Sequence, residues 1–382
     1  MIIRNARVVT AGRDYGVTDI AIADGRIESV GSVSARAEDL DATGLIALPG
    51  FVDIHSHGRG GADFCDATDA AFEKIAQGKL ADGVTSFLAT GLTRPEAELA
   101  EVCRCAKRCV GSATCLGVHL EGPFFNASMA GAQNPDYLKL PDIGLVDRLN
   151  AIAPILKVSF APELEGGIAF AAELKKRGIV GSLGHSAADY ATFEAARAAG
   201  ATHLTHFCNA MMPVHHLRPS MINGGLMADD VYAEIITDGV HLSDPMIRLI
   251  LHCKGPDRLM IITDAMCAAG EPDGIYSLGG LRVKVEKGKA TLADVPYDPK
   301  AIVSNVAGSV ALFPQCFKRY VAATGLPLED AVKAAGFNQL RSLGITDRGE
   351  IKSGQIADLV LVDEDLNPVK TIVGGRLAWE RA

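Results

Sequence analysis

The stretch "PGFVDIHSHGRGG", Pro49 to Gly61, is an apolar run that ends in two histidines separated by one small residue. On a β-strand successive side chains alternate faces, so His55 and His57 would project from one side, about 7 Å apart along the backbone. Two imidazoles so placed can close on one metal ion. They can equally be two polar residues at a strand end, and the choice rests on the rest of the chain.

Working outward, further apolar strand-like runs recur at "VTSFLAT", "CLGVHLEGP", "ILKVSFAPE", "IVGSLGHS", "THLTHFCNA", "AEIITDGVH" and "RLMIITDA". Amphipathic helical patterns such as "GIAFAAELKKRG" and "YATFEAARAAG" lie between them. Repeated βα units with near-continuous apolar strands predict a parallel sheet. With the run at 51–57 the strands number eight, which closes a (β/α)8 TIM-like barrel. A doubly wound open sheet fits the alternation too, but no G-x-G-x-x-G follows the first strand.

The ends of the chain read differently. "MIIRNARVVTA", "DIAIADGRIESVG" and "ADLVLVDEDLNPVKTIVGGRLAWE" alternate apolar and polar residues between turns. We therefore expect a small β-sandwich domain built from both ends (residues 1–48 plus 351–382), flanking a barrel over residues 49–350. A β-hairpin insertion is expected near 277–300.

Composition excludes several classes of function. The 382 residues are 48% hydrophobic and carry a net charge of −9 with scattered basic residues. A nucleic-acid or anionic-membrane surface needs a basic patch, and neither partner is expected. No apolar run approaches the ~20 residues of a membrane span. Charges interrupt what would be a signal peptide's apolar core, so no secretory segment is expected. Nine cysteines without a spacing framework read as reduced thiols in a cytoplasmic protein. In "CRCAKRC" Cys105 and Cys109 share a helical face, but no partner C-x-x-C exists, and the group reads as helix filler rather than a zinc site.

The polar residues fall in one place. The run at 51–57 ends in His55 and His57, that at 115–121 holds His119 and ends in Glu121, and that at 179–185 ends in His185. His206 and Asn209 lie on 203–209, Asp238 and His241 on 232–241, and Asp264 ends 258–264. In a barrel these ends converge on one rim, where active sites of this architecture are built. Six strands ending this way predict a metal centre rather than loop solvation. Individually, His119 reads as a buried strand histidine paired to a backbone carbonyl, and Asp53 as a partner orienting a ligand histidine. His203 lies deeper than His206 and is the weaker ligand candidate. His215, His216 and His252 read as solvated or capping residues, and Asp238 as an ordinary turn residue before Gly239.

At these residues the chain resembles the amidohydrolase superfamily and, within it, the N-acetylglucosamine-6-phosphate deacetylase family. The likeness runs nearly end to end through "PGFVDIHSHG", "GVHLEGPF", "GHSAA", "THFCNAM", "DGVH", "TDAM", "AGS" and "GEIKSGQIADLVLVDEDLN". His-x-His marks only the superfamily, whereas "HLEGPF" together with "THxxNAM" is much narrower. The resemblance implies that His55, His57, Glu121 and Asp264 hold one divalent ion, with Glu121, His185 and His206 at a second position. One or two ions are implied, zinc first, with iron, manganese or cobalt as alternatives. It further implies Asp264 as general base and then acid. His241 would hold a sugar hydroxyl, while Ala132, Gln133, Asn209, Ala210 and the backbone of Val306, Ala307 and Gly308 would line the pocket of an N-acetylated amino sugar. By the same analogy a homodimer is expected.

Two positions depart from the family pattern. Gln133, in "AGAQNPD", stands where relatives have a histidine that polarises the acetyl carbonyl, and glutamine donates only as a neutral amide. In "HHLRPS", Leu217 takes the place of the arginine that binds the sugar phosphate, with Arg218 one step on. The leading expectation is hydrolysis of N-acetylglucosamine 6-phosphate to glucosamine 6-phosphate and acetate. The alternative is a related deacylase for a different or non-6-phosphorylated N-acyl substrate. A cyclic-amide hydrolase, whose two metals are usually bridged by a modified lysine, is disfavoured by Glu121. A scaffold protein is disfavoured because no ligand is missing.

Overall fold

The computed structural model describes residues 1–34, 39–296, 298 and 305–382. Eight parallel strands pair in chain order: Phe51–Asp53, Val84–Gly91, Thr114–Glu121, Ile155–Phe160, Val180–Leu183, His203–Leu204, Tyr232–Ile235 and Leu259–Ile261. The first and eighth strands meet just beyond their C-terminal ends. Asp264 N donates to His55 O at 2.9 Å, and His57 N to Ala265 O at 2.8 Å. The barrel is thus closed by the two segments that carry candidate ligands.

Helices alternate with these strands. The patterns "GIAFAAELKKRG" and "YATFEAARAAG" form Gly167–Lys176 and Tyr190–Ala199, turning Phe170, Leu174, Phe193 and Ala196 inward. Polar caps set where helices begin: Asp189 accepts from Thr192 N, Thr68 from Ala71 N and Asp142 from Leu145 N. The short helix Phe337–Ser342 plugs the N-terminal end of the barrel. Leu340 packs there against Val52, Ile54, Leu88, Ile236, Met260 and Ile262. Beside it the Asn338 amide donates to Leu259 O at 2.8 Å and the Gln339 amide to Ile261 O at 3.0 Å, satisfying carbonyls that the barrel leaves open.

The two ends of the chain share a second, eight-stranded sheet. Leu359–Val362 pairs antiparallel with Ile46–Pro49, which runs parallel to Ile2–Thr10. Strand alternation divides this sheet's apolar residues between two cores. Ile3, Val8, Leu359 and Leu361 form a core of their own, whereas Val9, Leu48, Val360 and Val362 join the main one around the barrel. The insertion after the eighth strand is a three-stranded antiparallel sheet, Gly274–Leu278, Leu281–Glu286 and Lys289–Leu292. It adds a third strand to the expected hairpin and covers Met266, Ala307 and Leu92 at the ligand rim. The later part of the expected 277–300 insertion, residues 297, 299 and 300, lies outside the described residues, as do 301–304.

Candidate metal centre

Among the candidate ligands only Glu121 lies within its strand, at the last position. His55 and His57 follow a ladder that ends at Asp53, and His185, His206 and Asp264 also lie beyond their strands. His185, His206 and Asp264 take φ values of 47°, 30° and 50°. The left-handed region is costly for a side chain with a Cβ, and such strain gathers where surrounding structure over-determines a functional geometry. Leaving the ladder in this way turns each side chain toward the barrel axis.

Four imidazoles meet around Glu121, and Asp264 joins them through His57 and His55. Its Oε1 lies 3.3 Å from His55 Nε2, 3.2 Å from His185 Nε2 and 3.1 Å from His206 Nε2. Its Oε2 lies 3.2 Å from His57 Nε2. Asp264 Oδ1 is 3.0 Å from His57 Nε2 and 3.5 Å from His55 Nε2. All six residues are buried. Two groups with metal-ligand spacing share Glu121: His55, His57 and Glu121, and Glu121, His185 and His206.

Electrostatics and unmet valence both call for a cation. Burial works to raise the Glu121 carboxyl and to lower the His55 imidazole. The mutual attraction wins: the His55 charge and the His185 and His206 hydrogen bonds hold Glu121 well below the carboxylate range, while Glu121 and Asp264 raise His55 to about 9. The pocket therefore demands positive charge, whether as protons or as a metal. The buried His55 Nε2 has no hydrogen-bond partner, and the Nε2 atoms of His185 and His206 face each other at 3.0 Å. Imidazole nitrogens and carboxylate oxygens so placed fit a divalent ion of the zinc, iron, manganese or cobalt type.

The rings are fixed from behind. His185 Nδ1 donates to Met129 O at 2.9 Å, which leaves Nε2 toward the centre. His55 Nδ1 lies 3.0 Å from Glu234 Oε2. The orienting partner of His55 is thus Glu234 and not Asp53. Asp53 instead accepts from Lys79 Nζ at 2.9 Å and Thr263 Oγ1 at 2.7 Å, behind the barrel seam. His119 faces Thr90 Oγ1 at 3.3 Å and Ser159 Oγ at 2.8 Å, hydroxyls rather than the expected backbone carbonyl. Burial and the Lys157 charge push it well below the usual histidine range, so it is neutral. His203 is buried beside Thr202 and Tyr232, away from the centre.

The remaining candidates divide into those at the rim and one that stands off. Asp238 Oδ2 pairs with His241 Nδ1 at 2.8 Å, and its other oxygen takes the Val240 and His241 amides at 2.8 and 2.9 Å. Asp238 is therefore a holder of His241, more than a turn residue. Against burial, that hydrogen bond and charge raise the His241 pKa. Ser309 N donates to Asp264 O at 2.7 Å, which lays Val306, Ala307 and Gly308 beside the acid. Asn209 Nδ2 donates to His206 O at 3.1 Å, and Ala210 O accepts from Ser186 N at 3.1 Å. Ala132 packs at the edge of the core under the three-stranded sheet. Gln133 is engaged with the protein: its carbonyl accepts from Thr93 N at 2.9 Å and its amide donates to Glu121 Oε2 at 2.6 Å. Arg218 is exposed on a loop, where its backbone amide donates to His215 Nδ1 at 3.2 Å, and Leu217 beside it is 77% exposed. The "CRCAKRC" thiols join no metal-ligating group among the described residues.

A buried cage of imidazoles and carboxylates at the C-terminal rim of a parallel barrel defines the class: a metal-dependent hydrolase. The model of the amidohydrolase family matches residues 46–378. An N-acetylglucosamine-6-phosphate deacetylase of Lysinibacillus sphaericus is 34% identical over 99% of this chain and 97% of its own. An N-acetylgalactosamine-6-phosphate deacetylase of Escherichia coli O157:H7 is 32% identical over 99% of each. In structure, a mutant of the Mycobacterium smegmatis N-acetyl-D-glucosamine-6-phosphate deacetylase, in complex with N-acetyl-D-glucosamine-6-phosphate, superposes with a TM-score of 0.92 at 33% identity, over 99% of each chain. The Thermotoga maritima N-acetylglucosamine-6-phosphate deacetylase gives 0.90 at 34% over 100% of each. The chain belongs to the amidohydrolase family, in the branch that holds the N-acetylglucosamine-6-phosphate deacetylases.

Proposed function

We propose that this enzyme hydrolyses the N-acetyl amide of an N-acetylated amino-sugar 6-phosphate, N-acetylglucosamine 6-phosphate first, releasing glucosamine 6-phosphate and acetate. The observation that carries the reading is the convergence of His55, His57, Glu121, His185, His206 and Asp264 on one buried point. Those residues would hold one or two divalent ions, zinc first. A bound ion supplies an activated water at neutral pH and polarises the amide carbonyl.

The other work falls to the chain's own groups. Asp264 takes the proton of the attacking water and returns it to the departing amine, base first and acid second. Its backbone is tied on both sides, to His55 O at 2.9 Å and to Ser309 N at 2.7 Å, so the carboxylate meets substrate from a fixed position. His241, braced by Asp238, holds a sugar hydroxyl. Asn209, Ala210 and the 306–308 backbone line the sugar's side of the pocket, with Ala132 and Gln133 opposite. The division into residues 1–48 plus 351–382 and 49–350 is supported by the shared terminal sheet. A homodimer and a cytoplasmic setting complete the proposal; the nine unpaired cysteines support a reducing compartment. No helix among the described residues is long and apolar enough to cross a membrane.

Two observations favour the second reading, a related deacylase acting on a different or non-6-phosphorylated N-acyl substrate. Gln133 spends its carbonyl and one amide hydrogen on Thr93 and Glu121, and Arg218 lies on an exposed loop. Steady-state rates on N-acetylhexosamines with and without the 6-phosphate decide. A kcat/KM higher for the phosphorylated sugar supports the first reading; a value as high or higher for the free sugar, or no acetate released from either, overturns it and favours the second.

A further inference from the structure

Glu234 and Lys157 are fully buried charged residues on the seventh and fourth strands of the barrel, whose side chains meet behind the candidate ligands. A buried ion pair contributes little net stability, and one whose other atoms are engaged at a reactive centre calls for another explanation. The pair's contacts are directional. Lys157 Nζ binds Glu234 Oε1, so that oxygen is committed. The other, Oε2, accepts from the ring Nδ1 of His55 at 3.0 Å and from the backbone N of His206 at 3.2 Å. One carboxylate oxygen thus fastens a candidate ligand from each of the two ligand groups that share Glu121.

We infer that Glu234, charged and held by Lys157, is the positioning residue that keeps the His55 proton on Nδ1 and the Nε2 lone pair aimed at the cation, and so sets occupancy of the His55 position. This rests on the proposed function above. An imidazole has one lone pair when neutral, and the hydrogen bond at one nitrogen decides which nitrogen carries it. Lys157 contributes by occupying Oε1, leaving only Oε2 to face the ring. With an amide in place of the carboxylate and Lys157 retained, a donor must face either the ammonium or the imidazole N–H, and both arrangements are repulsive.

Two neutral double variants separate positioning from mere support, since each removes the buried charges and keeps similar bulk. K157M/E234L has no acceptor for His55 Nδ1, whereas K157M/E234Q offers the Gln carbonyl. Zinc affinity is read by chelator competition and zinc content by elemental analysis, with H55A as reference and with folding checked by circular dichroism. K157M/E234L is expected to bind the His55-position ion about 10- to 100-fold more weakly, toward H55A, and K157M/E234Q to recover most of that loss. Wild-type affinity in both, or an equal loss in both, overturns the inference. Should either variant fail to fold, the wild type decides alone: its 15N-histidine spectrum is expected to show a His55 Nδ1 proton that exchanges slowly and is shifted downfield by a hydrogen bond to a carboxylate, and a rapidly exchanging, unshifted Nδ1 proton or a proton on Nε2 overturns the inference. A wild type that neither binds zinc nor deacetylates amino sugars refutes the proposed function itself. One that does both while the two variants behave alike refutes only the role of Glu234.

Discussion

Asp264 sits at a φ of 50° with both its amide and its carbonyl committed to neighbouring backbone. Its carboxylate is thereby held 3.0 Å from His57 Nε2, and the proposed mechanism assigns it the proton transfers. Asp264→Asn keeps the shape and abolishes proton acceptance. The expected outcome is a fall in kcat of about 10² to 10⁴ with the fold and most of the bound metal retained, read by acetate release, circular dichroism and elemental analysis. Gly308 offers a second handle on the same residue. Its φ is 57°, and a Cβ there would lie 3.0 Å from Asp264 O. Gly308→Ala should lower kcat and cost about 1–3 kcal/mol of stability, read by thermal melting alongside rates. At this scale much of the site is legible: "HSH", "HLEG", "GHS", "THFCN" and "TDA" announce side chains that nothing apolar requires. Glu234 and Lys157 are not. In "YAEII" and "ILKVSF" a single charge among apolar residues looks like the solvent side of an alternating strand, and only the folded barrel shows that it points inward to another charge.

Among the elements, strand extent was harder to read than strand number. All eight runs are apolar and bounded by turns, yet 203–209 contains only the two-residue strand His203–Leu204. Positive φ at His206, Cys208 and Ala210 breaks the ladder, and no residue type in "HFCNA" signals it. The same departure from the strand brings His206 inward, so this short ladder belongs to a part that serves the site. The floor of the barrel has the opposite character. Leu340 is 1% exposed and fills the end remote from the ligands. Leu340→Ala is expected to cost about 2–5 kcal/mol in chemical denaturation. Because its cluster excludes the candidate ligands, kcat per folded molecule should stay close to wild type. A proportional loss of kcat would show the floor to be coupled to the rim.

Taken as a whole molecule, the protein separates stability from chemistry. The main core lies between barrel and helices, the terminal sheet has its own, and neither is built from the ligand cage. Removing metal with a chelator should therefore abolish turnover and leave the far-ultraviolet circular dichroism unchanged, with activity restored by zinc or manganese. Loss of secondary structure on chelation would contradict this. The proposed preference for a 6-phosphate is also tested at this scale, through Arg218 on its exposed loop. Arg218→Ala should raise KM for a phosphorylated sugar and leave the free sugar unaffected; an unchanged KM for both removes Arg218 from the site. Assembly left little trace in the chain, because exposed apolar residues such as Leu217 do not say what covers them. The most direct test of the central claim is anomalous diffraction at the zinc edge from crystals grown with zinc. The account predicts a peak about 2.0–2.2 Å from a Glu121 oxygen and from His Nε2 atoms at the rim. Density without a peak there, with these side chains beyond coordinating reach, would contradict it.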